Sequence, residues 1–330
     1  MNLLSSTSIY GFYTLISRIL GYIRDILIAI FLGTSIYADA FFVAFRLPNT
    51  FRRLFAEGTF NAAFIPSYAK ENLKNKKDGK IFADDVFNLL LYALTVLVII
   101  VEIFAPLVVY LIAPGFAQDA NKLNLAIEFT RITFPFLLIV SLSSMLSGIL
   151  NTNNKFAAAA AAPIVLNIIL IFTLLLSVYL ELNIAKNLSI GVTLAGIVQF
   201  LILIFFTKKF YFPSLKISFK LRNNIKIFFK KLLPSIFSAG ITQINILIGT
   251  IIASFQTGAV SYLYYADRIY QINLAIAGIA VGTVVLPNLS KKIKNNDKNS
   301  VNILQNKSLE LSLALSLPAA FGLFIASQEI

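Results

Sequence analysis

Residues 38–60 read ADAFFVAFRLPNTFRRLFAEGTF. The phenylalanines and alanines suit a membrane helix, yet the stretch carries five charges: Asp39, Arg46, Arg52, Arg53 and Glu57. One charge at the centre of a spanning helix costs about 2.5–3.5 kcal/mol on insertion scales. Such charges are kept where they pair, snorkel to the headgroups, or face water inside a helical bundle.

The chain around them is membrane-like. Of 330 residues, 58% are hydrophobic and 13% charged, whereas a soluble domain carries about 25% charged residues. We therefore expect an all-α, polytopic transmembrane bundle. Cys and His are both absent, which removes disulfides, thiol nucleophiles and the commonest general base and metal ligand. No glycine-rich phosphate loop occurs either. No catalytic residue, metal or cofactor is expected, and an enzyme is the least favoured class. Residues 1–8, MNLLSSTS, lack the basic start of a signal peptide, and the first apolar segment runs into Arg18, Arg24 and Asp25. The N-terminus is expected to be retained.

Nine stretches approach the roughly 20 apolar residues that a spanning helix needs: 9–32, 38–64, 86–112, 126–150, 157–180, 190–207, 232–255, 259–286 and 303–326. Basic residues then set orientation. Five lysines fall in 70–80, seven lysines and Arg222 in 208–231, and four lysines in 291–298. These segments follow the second, sixth and eighth spans. The alternate loops hold almost no basic residue, with Lys122 and Lys186 as the exceptions. Basic loops mark the cytoplasmic side, so the N-terminus is expected to be cytoplasmic in a multi-pass protein. The net charge of +13 then reflects topology and attraction to the anionic inner leaflet. Membrane lipids are expected partners; nucleic acid is not. Segment 216–231, KISFKLRNNIKIFFKK, fits either an interfacial amphipathic helix or a basic loop.

An internal repeat is suggested. FIPSYAKE (64–71) closes the second span and VLPNLSKK (285–292) closes the eighth, 221 residues apart, with Arg46 and Arg268 at nearly equal distances upstream. Chance similarity between apolar helices competes with this reading. The repeat predicts three parts: a six-helix N-terminal lobe (1–210), a basic cytoplasmic amphipathic linker (211–231) and an incomplete second lobe of three helices (232–330).

Within the charged spans, Arg18 and Asp25 share one helical face, and Arg24 sits about 120° from Arg18. Asp39, Arg46 and Arg53 form a stripe at sevenfold spacing, and Arg53 lies one turn from Glu57. Arginine outnumbers the acids of these spans. A surplus of guanidinium at membrane depth needs an anion, and its planar fork suits phosphate or carboxylate oxygens. The residues therefore point to a cationic, hydrophilic cavity among the first, second and eighth spans. Plain structural pairing and snorkelling compete with that reading, most strongly for Arg52, Arg53 and Glu57 near a span end.

Several stretches also resemble one known family. SRILGYIRDILIAIFLG (17–33), DAFFVAFRLPNTFRRLFAEGTFNAAFIP (39–66), APGF (113–116), RITFPFLLIVSLSSMLSGILNT (131–152) and YYADRIYQ (264–271) resemble the MurJ (MviN) family of lipid II flippases. That family belongs to the multidrug/oligosaccharidyl-lipid/polysaccharide exporter superfamily. The resemblance implies a transporter of the bacterial cytoplasmic membrane in peptidoglycan and cell-wall biogenesis. It would move lipid II, the undecaprenyl-diphosphate-linked disaccharide-pentapeptide, from the inner to the outer leaflet by alternating access. It further implies that Arg18, Arg24 and Arg268 clamp the diphosphate, with Ser17 and Asn49 nearby. Arg52, Arg53 and Glu57 would serve a cytoplasmic gate, and Asp39 would pair with an arginine at the outward end. Gln271 stands where an acid is expected, so a gate salt bridge there would become a hydrogen bond. The family has fourteen helices, so this chain is read as its N-terminal portion, with a C-terminal fragment as an expected partner. Two other functions remain open at this point: flipping of another lipid-linked oligosaccharide, and a non-transporting membrane subunit that needs a partner for the missing helices.

Overall fold

The computed structural model describes residues 3–56, 59–215, 222–274 and 298–328, with positions 285, 289 and 293. Among the described residues regular structure is helical and there is no strand. The expected all-α class is borne out.

Helix α1 (Leu3–Leu32) ends where Gly33 takes a φ of +54°, a conformation glycine adopts at no steric cost. Helices α2 (Ile36–Ala56) and α3 (Thr59–Lys74) cover the expected second span. Glu57 and Gly58 lie outside the described residues. Helix α4 (Lys76–Ile103) starts at an Asn75 cap whose side chain accepts from the Lys77 N–H. It therefore begins ten residues before the apolar stretch that predicted it. Lys70 and Lys74 belong to α3, and Lys76, Lys77 and Lys80 to α4, so the lysine cluster decorates two helix ends instead of forming a loop. Lysine is a good helix former, and a helix leaving the apolar layer needs polar residues, not a break.

Prolines divide the next segments. Pro106 opens α5 (Ala105–Ile112), and a 3-10 turn follows at Pro114–Gln118. Asp119 caps α6 (Ala120–Thr133), accepting from the Asn121 and Lys122 N–H groups. Pro135, which has no N–H to donate, separates α6 from α7 (Phe136–Thr152). Helices α8 (Phe156–Tyr179), α9 (Ile184–Thr207), α10 (Asn223–Ala253), α11 (Ala259–Asn273) and α12 (Lys298–Ile325) follow among the described residues.

Among the described residues, five stretches are long and apolar enough to cross a bilayer: Lys76–Ile103, Ala120–Thr152, Phe156–Tyr179, Ile184–Thr207 and Asn299–Ile325. The charged helices α1 and α2 are not among them. Large apolar side chains such as Ile103, Phe172, Phe205 and Leu201 are exposed on these helices, as a lipid-facing surface requires. The interior holds a contiguous cluster of α3, α4 and α7 side chains, including Phe60, Phe64, Phe82, Leu137, Met145 and Ile149.

The chain divides into two compact units, Met1–Leu263 and Tyr264–Ile330. The first contains all of α10. Residues 223–231, expected to form part of a linker, are the first turns of that helix, with Ile225 and Phe228 buried in the first unit's core. Residues 216–221 of the basic segment and most of the repeat at 285–292 lie outside the described residues.

Candidate functional site

The predicted site residues fall into separate groups. On α1, Arg24 and Asp25 are buried, 7% and 6% exposed. Arg24 donates through Nε (2.9 Å) and Nη2 (2.6 Å) to Asp25 Oδ1, and through Nη1 to Asn167 Oδ1 on α8 at 2.8 Å. Asn167 Nδ2 in turn donates to the Ser17 carbonyl at 2.9 Å. Ser17 thus contributes its backbone to this network. Arg24 is charge-balanced by its neighbour, and α8 is tied to α1 through one amide. Arg18 differs. It is exposed on α1, and among the described residues it has no ion-pair partner.

On α2, Asn49 Oδ1 accepts from Arg52 Nε at 3.0 Å, one turn apart. Arg53 is half-buried on the same helix. Glu57, the expected partner of these arginines, lies outside the described residues. In the second unit, Arg268 donates to the Tyr264 hydroxyl at 2.9 Å and to Gln271 Oε1 at 3.5 Å, and its guanidinium lies 4.8 Å from the Tyr264 ring centroid. Gln271 thus meets Arg268 within α11, one turn along the same helix.

Among the described residues the most completely buried charge is Asp39, 0% exposed. Its partner is Lys122, not an arginine. Lys122 Nζ reaches Oδ2 at 2.5 Å, and the Gly258 N–H donates to the same oxygen at 2.9 Å. Oδ1 accepts from the Ser261 N–H (2.9 Å) and hydroxyl (2.6 Å). Each oxygen thus has two donors. Ser261 lies in the first turn of α11, so Asp39 caps that helix from another element, where an anion also opposes the helix dipole. Gly258 turns into α11 with φ of +76°. Beside it, the Gly115 N–H donates to Ser254 Oγ at 3.0 Å. A Cβ on Gly115 would lie 2.4 Å from the Ser254 backbone, so the 3-10 turn and the end of α10 meet backbone to backbone. Lys122 Nζ also lies 4.2 Å from the Phe116 ring centroid. Together these contacts seal one end of the first unit.

A second buried carboxylate organises the opposite end of α10. Asp84 Oδ1 accepts from the Tyr211 hydroxyl (2.9 Å) and the Ser214 N–H (3.1 Å). Asn88 Nδ2, one turn along α4, donates to the Ser214 carbonyl at 2.9 Å. Burial, and then the Asp84 carboxylate beside it, push the Tyr211 phenol well above its ordinary pKa.

Sequence reasoning missed Lys122, Asn167, Ser261 and Asp84. Two carried a signal. Lys122 is an exception to the charge alternation of the loops, and Asn167 is the one amide in the apolar stretch 157–180. Ser261 and Asp84 carried none. No group of three or more potential metal ligands occurs among the described residues.

Long apolar helices, two charged helices beside them and a helix N-terminus locked by a buried ion pair define a polytopic helical membrane protein. The family model described as "Lipid II flippase MurJ" matches residues 28–330, and the chain belongs to that family. Proteins named "Probable lipid II flippase MurJ" from Rhizobium tropici and Rhizobium meliloti are 43% and 44% identical over the whole of this chain. The chain spans 63% of the length of each of these relatives. A solved structure entitled "Lipid II flippase MurJ, inward closed conformation" superposes with a TM-score of 0.80 at 30% identity, over 96% of this chain and 65% of that one. A MOP superfamily transporter from Pyrococcus furiosus shares the fold, with a TM-score of 0.61 at 17% identity over 98% of this chain and 72% of that one.

Proposed function

We propose that this chain is part of a transporter that moves lipid II from the inner to the outer leaflet of the bacterial cytoplasmic membrane by alternating access. Family membership and the names of its relatives support the cargo. The lysine distribution supports a cytoplasmic N-terminus, which makes the Asp39 end the outer one.

Arg18 carries the mechanistic part of the reading. It is an exposed cation on α1, flanked by apolar side chains and without an ion-pair partner among the described residues. Such a charge calls for a polar cavity or an anion. Arg24, already neutralised by Asp25, lies on the same helix about 120° from Arg18. The diphosphate of the cargo is the anion, held by Arg18 and Arg268 with Arg24, Ser17 and Asn49 alongside. Arg52, Arg53, Glu57 and Gln271 serve the cytoplasmic gate, and Asp39 serves the outer one.

The test is rescue of a flippase-depleted strain by the protein at its full encoded length. Arg18→Ala is expected to abolish rescue at normal membrane levels, because charge-assisted hydrogen bonds of roughly 1.5–3 kcal/mol each are lost. Arg18→Lys is expected to be impaired, since a point charge does not reproduce the fork. Full rescue by Arg18→Ala overturns the assignment.

A further inference from the structure

Helix α10 is fastened to the first unit at both ends, and by different physics. At its start, Ile225, Phe228 and Leu232 are buried among α3 and α4. The Phe228 ring packs edge-on against Phe60, Phe64 and Phe82, with centroids 5.8, 6.3 and 6.0 Å away. The chain leading into α10 is clamped as well. Asp84 and Asn88 hold the N–H and carbonyl of Ser214, Tyr211 is buried against Asp84, and Arg222 Nε lies 3.4 Å from Asp85 Oδ2. At the other end, about 45 Å away for a 31-residue helix, hydrogen bonds and a buried ion pair do the fastening, beside the close approach of Gly115 and the buried Val260. Gly115 holds Ser254, and Asp39 with Lys122 holds Gly258 and Ser261.

Water can replace the polar set. When the Asp39 end wets, the carboxylate and ammonium regain the hydration they lost on burial, and the freed N–H groups find water as an acceptor. Water cannot replace the aromatic set. Withdrawing Phe228 would expose roughly 150–250 Å² of ring surface on that residue alone and open a void among three others. Withdrawing the chain before it would also take from the buried Asp84 Oδ1 its donors on Tyr211 and Ser214.

We infer that α10 is a lever. Its start is a permanent anchor on α3 and α4, and only its Asp39 end releases during the cycle. Residues 208–215 and 222–232 are thus a fixed pivot that moves with the first six-helix lobe, not a slack linker. This rests on the transporter reading above.

Residues 1–330 contain no cysteine, so paired cysteines can be placed freely in the full-length protein, with any cysteine outside this stretch replaced. Thr34→Cys with Tyr262→Cys spans the releasing end: the Thr34 Cβ and a Tyr262 ring carbon lie 3.4 and 3.3 Å from the point a Cβ on Gly258 would occupy. Asp85→Cys with Arg222→Cys spans the anchor. Each pair is cross-linked with a short reducible bifunctional reagent, and lipid II translocation is followed in proteoliposomes. The expected result is loss of translocation for the first pair, regained on reduction, and an unchanged rate for the second. Loss in both pairs overturns the pivot and leaves the transporter reading standing. An unchanged rate with the first pair cross-linked overturns release at the Asp39 end. Absence of translocation by the cysteine-free protein overturns the transporter reading itself. Hydrogen exchange gives a check that needs no cysteine at the anchor. In Lys122→Met, amides of 254–262 should exchange faster while those of 211–215 and 223–232 keep their protection. Faster exchange at both ends overturns the inference.

Discussion

Removing the ammonium of Lys122 tests whether a buried charge pair holds the Asp39 end shut. The pair is 5% and 0% exposed, so solvent screening is small. Taking away one partner of such a pair costs about 3–5 kcal/mol, because the other charge stays buried without compensation. Asp39 would keep three neutral donors, on Gly258 and Ser261, which places the expected value near the lower end, about 3 kcal/mol. That penalty falls on the closed arrangement only, since an opened Asp39 is hydrated. At 1.4 kcal/mol per decade, the opening equilibrium of Lys122→Met should rise by about a hundredfold. Ser254, 3% exposed at the sealed end, reports it. On a Ser254→Cys background the introduced thiol is the only one in residues 1–330, and its labelling by a water-soluble maleimide measures opening. Adding Asp39→Asn to Lys122→Met removes the uncompensated charge from this end, so labelling should fall back most of the way. An unchanged rate in Lys122→Met, or strict additivity in the double variant, would refute the charge-lock reasoning.

Other outcomes follow from the same geometry. Gly115→Ala places a Cβ against the Ser254 backbone and should lower stability by about 1–3 kcal/mol while raising maleimide labelling on the Ser254→Cys background, read by thermal unfolding and labelling rate. Asn167→Leu removes both the acceptor of Arg24 and the donor to Ser17; a loss of about 1.5–3 kcal/mol is expected in thermal unfolding. Tyr211→Phe tests the anchor through pH. The Tyr211 phenol is raised in the fold, so the stability it confers is complete below the ordinary phenol pKa of about 10 and is lost as pH rises above it. The variant should be less stable at neutral pH, yet its stability should decline less steeply on the alkaline side; an identical alkaline decline would show that Tyr211 ionises freely in the folded protein.

Much of the candidate site was legible in the chain because intramembrane charges are rare and therefore conspicuous. Arg18, Arg24, Asp39 and Arg268 stand out against apolar neighbours in any reading. Their partners did not stand out. Lys122 is 83 residues from Asp39, and Asn167 is 143 from Arg24. Ser261 and Ser214 act partly through backbone groups that every residue carries. Helix starts were also misjudged where lysines precede an apolar run, as at Lys76, because hydropathy marks the buried length of a helix and not its ends.

Composition and periodicity by themselves determined that this protein is a helical membrane bundle, because the apolar length and charge content of each segment are local properties. The motif at 38–66 added its family resemblance. Only the tertiary structure decided that Asp39 is locked by Lys122 and an adopted helix N-terminus, that Arg24 is already neutralised, and that α10 is anchored at one end by Phe228 and held at the other by polar contacts. Those facts depend on which helices become neighbours. That choice is made by packing over the whole bundle, and no local stretch of residues encodes it.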